Sequence, residues 1–443
     1  MTHSERVVIG GVDTHKDIHV AAVIDEIGKI LDTKGFPATA LGYCELARWL
    51  GSFGELGKVG VEGTGSYGAG LARHLRAQGV EVIEVNRPNR QARRRRGKSD
   101  TVDAEAAARA ALNGEATVAP KTQESLIESI RVLRVAFTSA RRARTQVLLQ
   151  IRDLIVTAPE ELRAVLGPLS SAERVARCAR FRLGVDVSEP LAATRLALRA
   201  LARRYQALSE EMDQLGRHLD ELTARANPGL RSVKGVGPDV AGILLTAAGD
   251  NPARLKSEAA FAAMCGVSPV EASSGKTARH RLNRSGNRQA NHALWRIVMV
   301  RLATGDEATQ AYMARRRAEG RSQREIVRCL KRYVAREIYH HLVDPQAPPV
   351  GAELRALRKS CGIGLQTVAE ALGSRPTRIS GLERGLVHDG ALAKHYGQWL
   401  AGQSPTGDAI RANSADPFAE GPLGPSEGCD PWIATPGRRL ART

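Results

Sequence analysis

The sequence predicts an α/β unit followed by a mainly helical remainder, and three observations predict it. Over the first 120 residues, β-rich apolar runs alternate with helical patterns. From residue 121 to about residue 401 the apolar spacing is helical, punctuated by glycine- and proline-bearing turns. From Gln403 onward Gly, Pro, Ser and Asp dominate and no hydrophobic periodicity survives, so a disordered tail is expected over residues 402–443.

Taken in order, "RVVIGGVD" and "IHVAAVID" read as two strands joined by a short turn, and a third short strand covers Lys29 to Phe36. An amphipathic helix is expected at about Leu41 to Leu50, then a buried strand at "KVGVEG". A helix from Tyr67 to Gln78 and a strand at "VEVIEV" follow. Together they predict a mixed sheet flanked by helices over residues 1–120. Residues 121–226, rich in Arg, Leu and Ala, read as a helical arm or spacer suited to oligomerisation, with a compact helical domain as the alternative. A second folded unit spans residues 227–344 and opens on "NPGLRSVKGVGPDVAGILLTAAGD". After the Pro-rich linker "VDPQAPPVGAE", residues 352–401 form a small helical unit.

The chain is long enough for two or three domains with real cores. Its 65 Lys and Arg against 47 Asp and Glu give a net charge of +18. That excess favours a polyanionic partner, with nucleic acid the first candidate. Cys44, Cys178, Cys265, Cys329, Cys361 and Cys429 show no CxxC or Cys/His spacing, so neither a zinc site nor a disulfide framework is expected. There is no signal-peptide pattern and no apolar run of transmembrane length, so a soluble cytoplasmic protein without a membrane partner is expected.

Four carboxylates stand out. Asp13 lies where the first strand ends, in "GGVDTHKD", and Glu62 ends the fourth strand, in "GVEGTGSYG". Asp100 and Asp103 stand three residues apart as an alanine-rich helix begins, directly after Arg93, Arg94, Arg95, Arg96 and Lys98. Capping accounts for this pair alone: Asp100 suits an N-cap, and Asp103 suits the positive end of the helix dipole. Acids at two strand ends can, however, face a common cleft with them, and Gly10, Gly11, Gly63 and Gly65 leave room for close approach. Such a cluster repels itself unless cations occupy it, and two Mg²⁺ ions would satisfy the oxygens and leave positions open for phosphate. His15, Lys16 and Asp17 crowd the same turn and read as surface charges. The preceding arginines and Lys98 then become phosphate contacts.

Further along, "GVSPVEASSGKTARHRLNRSGNRQANHALWRIVMVR" couples small residues with dense basic ones. Lys276, Arg279, His280, Arg281, Arg284 and Arg288 suffice to neutralise several phosphates around one loop, with Arg296 and Arg301 on a following helix. "SSG" is by itself a Ser/Gly turn, and no Ser-His-Asp arrangement can be read around it. "LRSVKGVGPDVAG" offers Gly235 and Gly237 as the turn of a helix-hairpin-helix whose N–H groups would meet phosphate, a plain αα-turn being the other reading.

"GVDTHKD", "VEGTGSYG" and "KSDTVDA", in that order and spacing, resemble the RuvC-like DEDD domain of the Piv-related insertion-sequence transposases, the IS-one-ten family. The resemblance covers roughly residues 6–340. It implies an RNase H-like fold with Asp13, Glu62, Asp100 and Asp103 as catalytic metal ligands. It also implies that the block around "SSG" is the family's second domain, whose serine attacks a DNA phosphate to form a covalent phosphoserine. That role falls on Ser274, with Ser273 as the neighbouring alternative. A composite site between protomers, a homodimer or homotetramer, and guidance by a structured bridge RNA pairing with element ends and target are implied likewise. The setting implied is the bacterial cytoplasm, in association with the nucleoid.

The C-terminal unit departs from the family pattern. "LQTVAEALG", a turn near Gly373 and a second helix from Pro376 suit a helix-turn-helix resembling the Cro/repressor type, with Thr377 and Arg378 opening the recognition helix. A small bundle for protein contact is the other reading. The function expected is thus a Mg²⁺-dependent, serine-using DNA recombinase of an insertion sequence. Its alternatives are a RuvC-type structure-selective nuclease and a non-catalytic nucleic-acid-binding regulator.

Overall fold

The computed structural model describes residues 6–85, 99–182, 186–251, 254–274, 280–343, 351–384, 387 and 389–403. The tail expected to be disordered therefore lies, from residue 404, outside the described residues. Contacts divide the chain into two units. One holds the residues up to Ser125 together with Gly249–Arg254; the other holds Leu126–Ala248 and the residues from Leu255 onward.

The first unit is built on a five-stranded sheet. Strands β1 (Val7–Thr14), β2 (Ile18–Asp25) and β3 (Ile30–Pro37) form an antiparallel meander. Helix α1 (Ala40–Gly51) leads to β4 (Glu55–Glu62), and α2 (Ala69–Ala77) leads to β5 (Glu81–Val85). The order across the sheet is β3-β2-β1-β4-β5, with β4 parallel to β1 and β5 parallel to β4. This mixed sheet with helices is consistent with the RNase H-like fold that the resemblance implies.

Alternation of side chains gives the sheet two apolar faces. On one, Val8, Val12, Val59 and Val61 pack with Leu46 and Leu50 of α1 and Leu71 and Leu75 of α2. On the other, Ile9, Ile24 and Ile83 pack with Ala108 and Ala111 of α3 (Asp100–Leu112). This second contact is unusually close. Gly11 and Gly60 are register partners on β1 and β4. A Cβ at Gly11 would lie 2.2 Å from the carbonyl oxygen of Ala104, and one at Gly60 2.4 Å from that of Ala107. The helix backbone rests on bare sheet, and Ala104, Ala107, Ala108 and Ala111, at helical spacing, give it a smooth side.

The returning segment is held within the same unit. The Thr122 N–H donates to Asp250 Oδ1 at 2.9 Å, and Arg254 pairs with Glu84 at 2.8 Å and donates to the Ala119 carbonyl at 2.6 Å.

Among the described residues the second unit is helical apart from one short hairpin. Long helices α4 (Leu126–Val156) and α7 (Pro190–Ala226) pack along each other, and between them run α5 (Glu160–Leu166) and α6 (Ser171–Ala179). The short pair closes one end of the long pair around Val147, Ile151, Leu166, Cys178 and Leu198. The other end contributes Ile130 and Leu219 to a larger core. That core is completed by α8 (Pro228–Ser232), α9 (Pro238–Ala248), α10 (Glu258–Met264), α11 (Arg288–Ala303), α12 (Glu307–Ala318) and α13 (Gln323–Val343). Between α10 and α11 stands the hairpin β6 (Val270–Glu271) and β7 (His280–Arg281).

Four further helices, α14 (Gly351–Ser360), α15 (Leu365–Ala371), α16 (Pro376–Glu383) and α17 (Gly390–Ala401), surround Leu354, Val368, Ile379 and Tyr396. A buried polar centre joins three of them: Arg358 forms a two-point pair with Glu383 at 2.6 and 3.0 Å, and the Tyr396 hydroxyl donates to Glu383 at 2.7 Å. Burial alone would raise the Glu383 pKa, but these bonds outweigh it and hold the carboxyl below its ordinary value. Among the described residues no helix is long and apolar enough to cross a membrane.

Candidate functional site

Asp13 follows Val12 on β1, and Glu62 follows Val61 on β4, with Val12 and Val61 paired in register. The two acids therefore stand side by side at the ends of parallel strands. Each lies two residues beyond a glycine pressed against α3, so each points to the α3 face of the sheet. Because α3 sits so low there, its first turn comes to the same strand ends.

Ser99 caps α3, its hydroxyl accepting from the Val102 N–H at 3.4 Å. The capping role that the sequence allows Asp100 thus belongs to its neighbour, and Asp100 occupies the first turn. Asp103 is buried there at 2 % exposure, while Asp100 is exposed.

Asp13 is itself 7 % exposed. Burial raises its pKa most; His15 opposes this, and the charges of Asp103 and Asp100 raise it further, leaving it above the ordinary carboxylate value. His15, read from the sequence as a surface charge, lies between the acids. Its Nε2 is 3.2 Å from Asp13 Oδ2 and 3.4 Å from Asp100 Oδ1. The signal was present in the spacing, since Asp13 and His15 are two apart where an extended strand ends.

One donor atom from each of Asp13, His15 and Asp100 falls within 4.8 Å of the others, a group able to hold a metal ion. The chemistry fits: a buried carboxylate crowded by two more is relieved by a cation, and carboxylate oxygens suit a hard divalent one. Glu62 continues into a tight turn in which its carbonyl accepts from Thr14 Oγ1 at 2.7 Å and Gly63 adopts a φ of +72°.

Comparison with known families identifies the domains of the chain. A family model described as Transposase, of the IS110 DEDD type, matches residues 10–158. A second, Transposase IS116/IS110/IS902 family, matches residues 227–314. The chain is a DNA transposase with IS110-type domains. No curated protein matches it.

In the second matched region of the transposase, Ser273 and Ser274 are exposed and follow β6, whose Glu271 is paired with His280 of β7. Arg281, Arg284 and Arg288 are exposed, and no ion pair holds them among the described residues. Arg93, Arg94, Arg95, Arg96, Lys98, Lys276 and Arg279 lie outside the described residues. The glycine turn stands between α8 and α9, with Gly235 at φ +92°. Gly235 and Gly237 line a cleft of about 620 Å³ together with Lys234, Arg231 and Arg378. Thr377 is exposed at the start of α16; Arg378 is exposed as well, but donates to Asp389 at 2.6 Å.

Two arginines of the basic stretch serve the interior. Arg301 is buried, donating to the Lys234 carbonyl at 3.0 Å and to Glu337 at 2.9 Å. Arg296 donates to Asp239 at 2.6 Å, and Arg141 and Arg134 approach the same carboxylate at 3.0 and 3.4 Å. Burial tends to raise the Asp239 pKa, but the Arg296 hydrogen bond and the three positive charges prevail and depress it.

A depressed carboxylate contributes stability above its unfolded pKa and loses it as pH falls through the folded one. Acid unfolding of the wild type followed by circular dichroism should therefore steepen below about pH 4. Asp239→Asn should be less stable at neutral pH and show a shallower acid limb. An unchanged limb in that variant would remove Asp239 as its source.

Proposed function

We propose that this transposase cuts and rejoins DNA through a covalent phosphoserine link formed by Ser274, assisted by divalent cations held at Asp13, Glu62, Asp100 and Asp103. The observation that carries the reading is the convergence of Asp13, His15 and Asp100, with buried Asp103 adding its charge, in a chain whose second matched region exposes a Ser–Ser pair beside basic residues. When bound, two Mg²⁺ ions would supply Lewis-acid stabilisation of the attacking and leaving oxygens.

The chain's own residues do the rest. Asp13, fixed on β1 and packed under α3, and Glu62 beside it are rigid supports, whereas Asp100 on the exposed first turn completes the cradle from above. His15 orients both Asp13 and Asp100 through one nitrogen. At the scissile phosphate the Ser274 oxygen forms a new P–O bond and gives up its proton. The P–O bond to the departing strand breaks, and that strand's oxygen takes a proton. A DNA hydroxyl reverses the step when the strands rejoin.

Arg281, Arg284 and Arg288, with Lys276, Arg279, Lys98 and the four arginines before it, serve as phosphate contacts in this reading, as do the N–H groups around Gly235 and Gly237. A structured guide RNA is the proposed second nucleic-acid partner. Residues 352–401 act as a helix-turn-helix in which Thr377 and Arg378 approach bases, with the Asp389 pair releasing Arg378. The proposed organisation follows the sequence: a RuvC-like domain, a helical arm that supports a homodimer or homotetramer, the serine-bearing domain and the helix-turn-helix. Because strand exchange requires several active sites, the carboxylate and serine halves are proposed to combine between protomers. The proposed setting is the bacterial nucleoid.

Ser274→Ala separates this reading from a water-using nuclease. The wild type with Mg²⁺ should yield an SDS-resistant protein–DNA adduct. The variant should lose it at least about a hundredfold while binding DNA as before. Ser273→Ala should retain it. Undiminished hydrolytic cleavage by Ser274→Ala would establish the RuvC-type nuclease instead. Sequencing RNA that co-purifies with the protein from cells carrying its element tests the guide.

A further inference from the structure

The exposed side of α11 carries Arg288, His292 and Trp295 at positions i, i+4 and i+7, one stripe along the helix. Trp295 is 41 % exposed, unusual for the largest apolar side chain, and its ring stacks on His292 with centroids 5.3 Å apart and planes 27° from parallel. This aromatic pair forms one wall of a pocket of about 390 Å³ at the foot of the β6–β7 hairpin. Its lining also includes Arg284 from the segment leaving the hairpin and Lys331 from α13.

The floor is backbone. A Cβ on Gly286 would lie 2.3 Å from the Gly266 nitrogen, so the two ends of the hairpin segment are pinched together by glycines. The Asn287 N–H donates across to the Met264 carbonyl at 2.7 Å. Asn291 is fixed by donating to the carbonyls of Cys265 and Gly266 at 2.9 and 3.1 Å, and its own oxygen accepts from Lys331 Nζ at 2.8 Å. Burial, with a smaller contribution from Arg328, lowers the Lys331 pKa, as expected of an ammonium with no carboxylate beside it. Among the described residues no acid lines the pocket.

We infer that this pocket takes one unpaired nucleotide of DNA, its base stacked on the Trp295–His292 pair and its phosphate held by Arg284, Arg288 and Lys331. Three cations without a carboxylate select a phosphate, and a half-exposed indole selects a flat apolar ring. A base inside a duplex is already stacked on both faces, so only an unpaired one can occupy this wall. The volume lies near the small end of ligand pockets, which run from about 300 to 1,000 Å³, and suits one nucleotide. DNA rather than RNA is the occupant because the pocket lies at the foot of the hairpin segment that leads to Ser274. This last step rests on the phosphoserine reading above, since strand exchange leaves DNA bases unpaired beside the attacked phosphate.

The test is binding of the full chain, in EDTA so that no strand is cut, to a fluorescein-labelled single-stranded DNA. The duplex form and an RNA of the same sequence serve as further probes, all followed by fluorescence anisotropy. Trp295→Ala should weaken single-strand binding roughly tenfold, the loss of one stacked base, and change duplex binding less than about twofold. Trp295→Phe should keep most of the affinity. Equal losses for single strand and duplex, or no loss for either, overturn the pocket. An RNA bound more tightly than the DNA with the same dependence on Trp295 overturns the DNA assignment. Because catalysis is silenced, failure here leaves the Ser274 adduct experiment standing; loss of that adduct's Ser274 dependence alongside the expected binding results would remove the phosphoserine reading instead.

Discussion

Asp13→Asn is expected to abolish Mg²⁺-dependent strand cleavage, by about a thousandfold or more, and at the same time to make the N-terminal unit more stable without metal. Both effects come from one geometry. Asp13 is buried, and the charges of Asp103 and Asp100 bear on it, so its negative charge costs the folded state free energy that the amide does not. Added Mg²⁺ should raise the thermal midpoint of the wild type and leave that of Asp13→Asn nearly unchanged, since an ion stabilises only the fold that binds it. Calorimetric melts with and without Mg²⁺, run beside a cleavage assay, check all three statements. A variant that keeps full activity, or that still gains stability from Mg²⁺, would reject Asp13 as a metal ligand.

Gly11→Val is expected to be nearly as severe, although Gly11 carries no chemistry. Its added side chain meets the backbone of α3 at Ala104 and Ala108, where no rotamer change can make room. The helix must lift, and Asp100 and Asp103 lift with it. A displacement of about 1 Å at a catalytic group can cost about a hundredfold in rate, so cleavage should fall by at least that much even where the unit still folds. Gly10→Val is the control: its Cβ meets only the side chains of Leu50 and Val59, which can adjust, and activity should suffer less. Near-equal losses in the two variants, measured at matched folded fraction by circular dichroism, would sever the link between helix height and the site.

The sheet was legible because strand and helix patterns differ in period, and β1 and β2 carry long apolar runs while β4 carries the short buried run Val59–Val61. The four acids stand out in the sequence because each falls at or near the end of an element, and of them the structure gathers Asp13 and Asp100, with His15, into one group. What local patterns could not show was depth. That α3 would lie against bare backbone depends on Gly11 and Gly60 being register partners 49 residues apart in sequence, a pairing visible only once β1 and β4 are side by side. His15 escaped for a related reason, since a histidine in a turn reads as a surface charge until the first turn of α3 brings Asp100 to the same strand end as Asp13. Charge density alone does not tell a surface arginine from a structural one. Arg296 and Arg301 follow the same arginine-dense stretch as Arg281, Arg284 and Arg288, yet they pair with Asp239 and Glu337 of other helices.

The return of Gly249–Arg254 to the first unit has a practical consequence for how the protein can be divided. A gene fragment ending at Ser125 encodes all five strands but lacks the carboxylate that satisfies Thr122 and the guanidinium that neutralises Glu84. The unit that carries Asp13, Glu62, Asp100 and Asp103 therefore does not form a cassette that can be cloned or swapped as one uninterrupted stretch; a minimal version must graft the six returning residues back on, or be drawn from a circularly permuted chain.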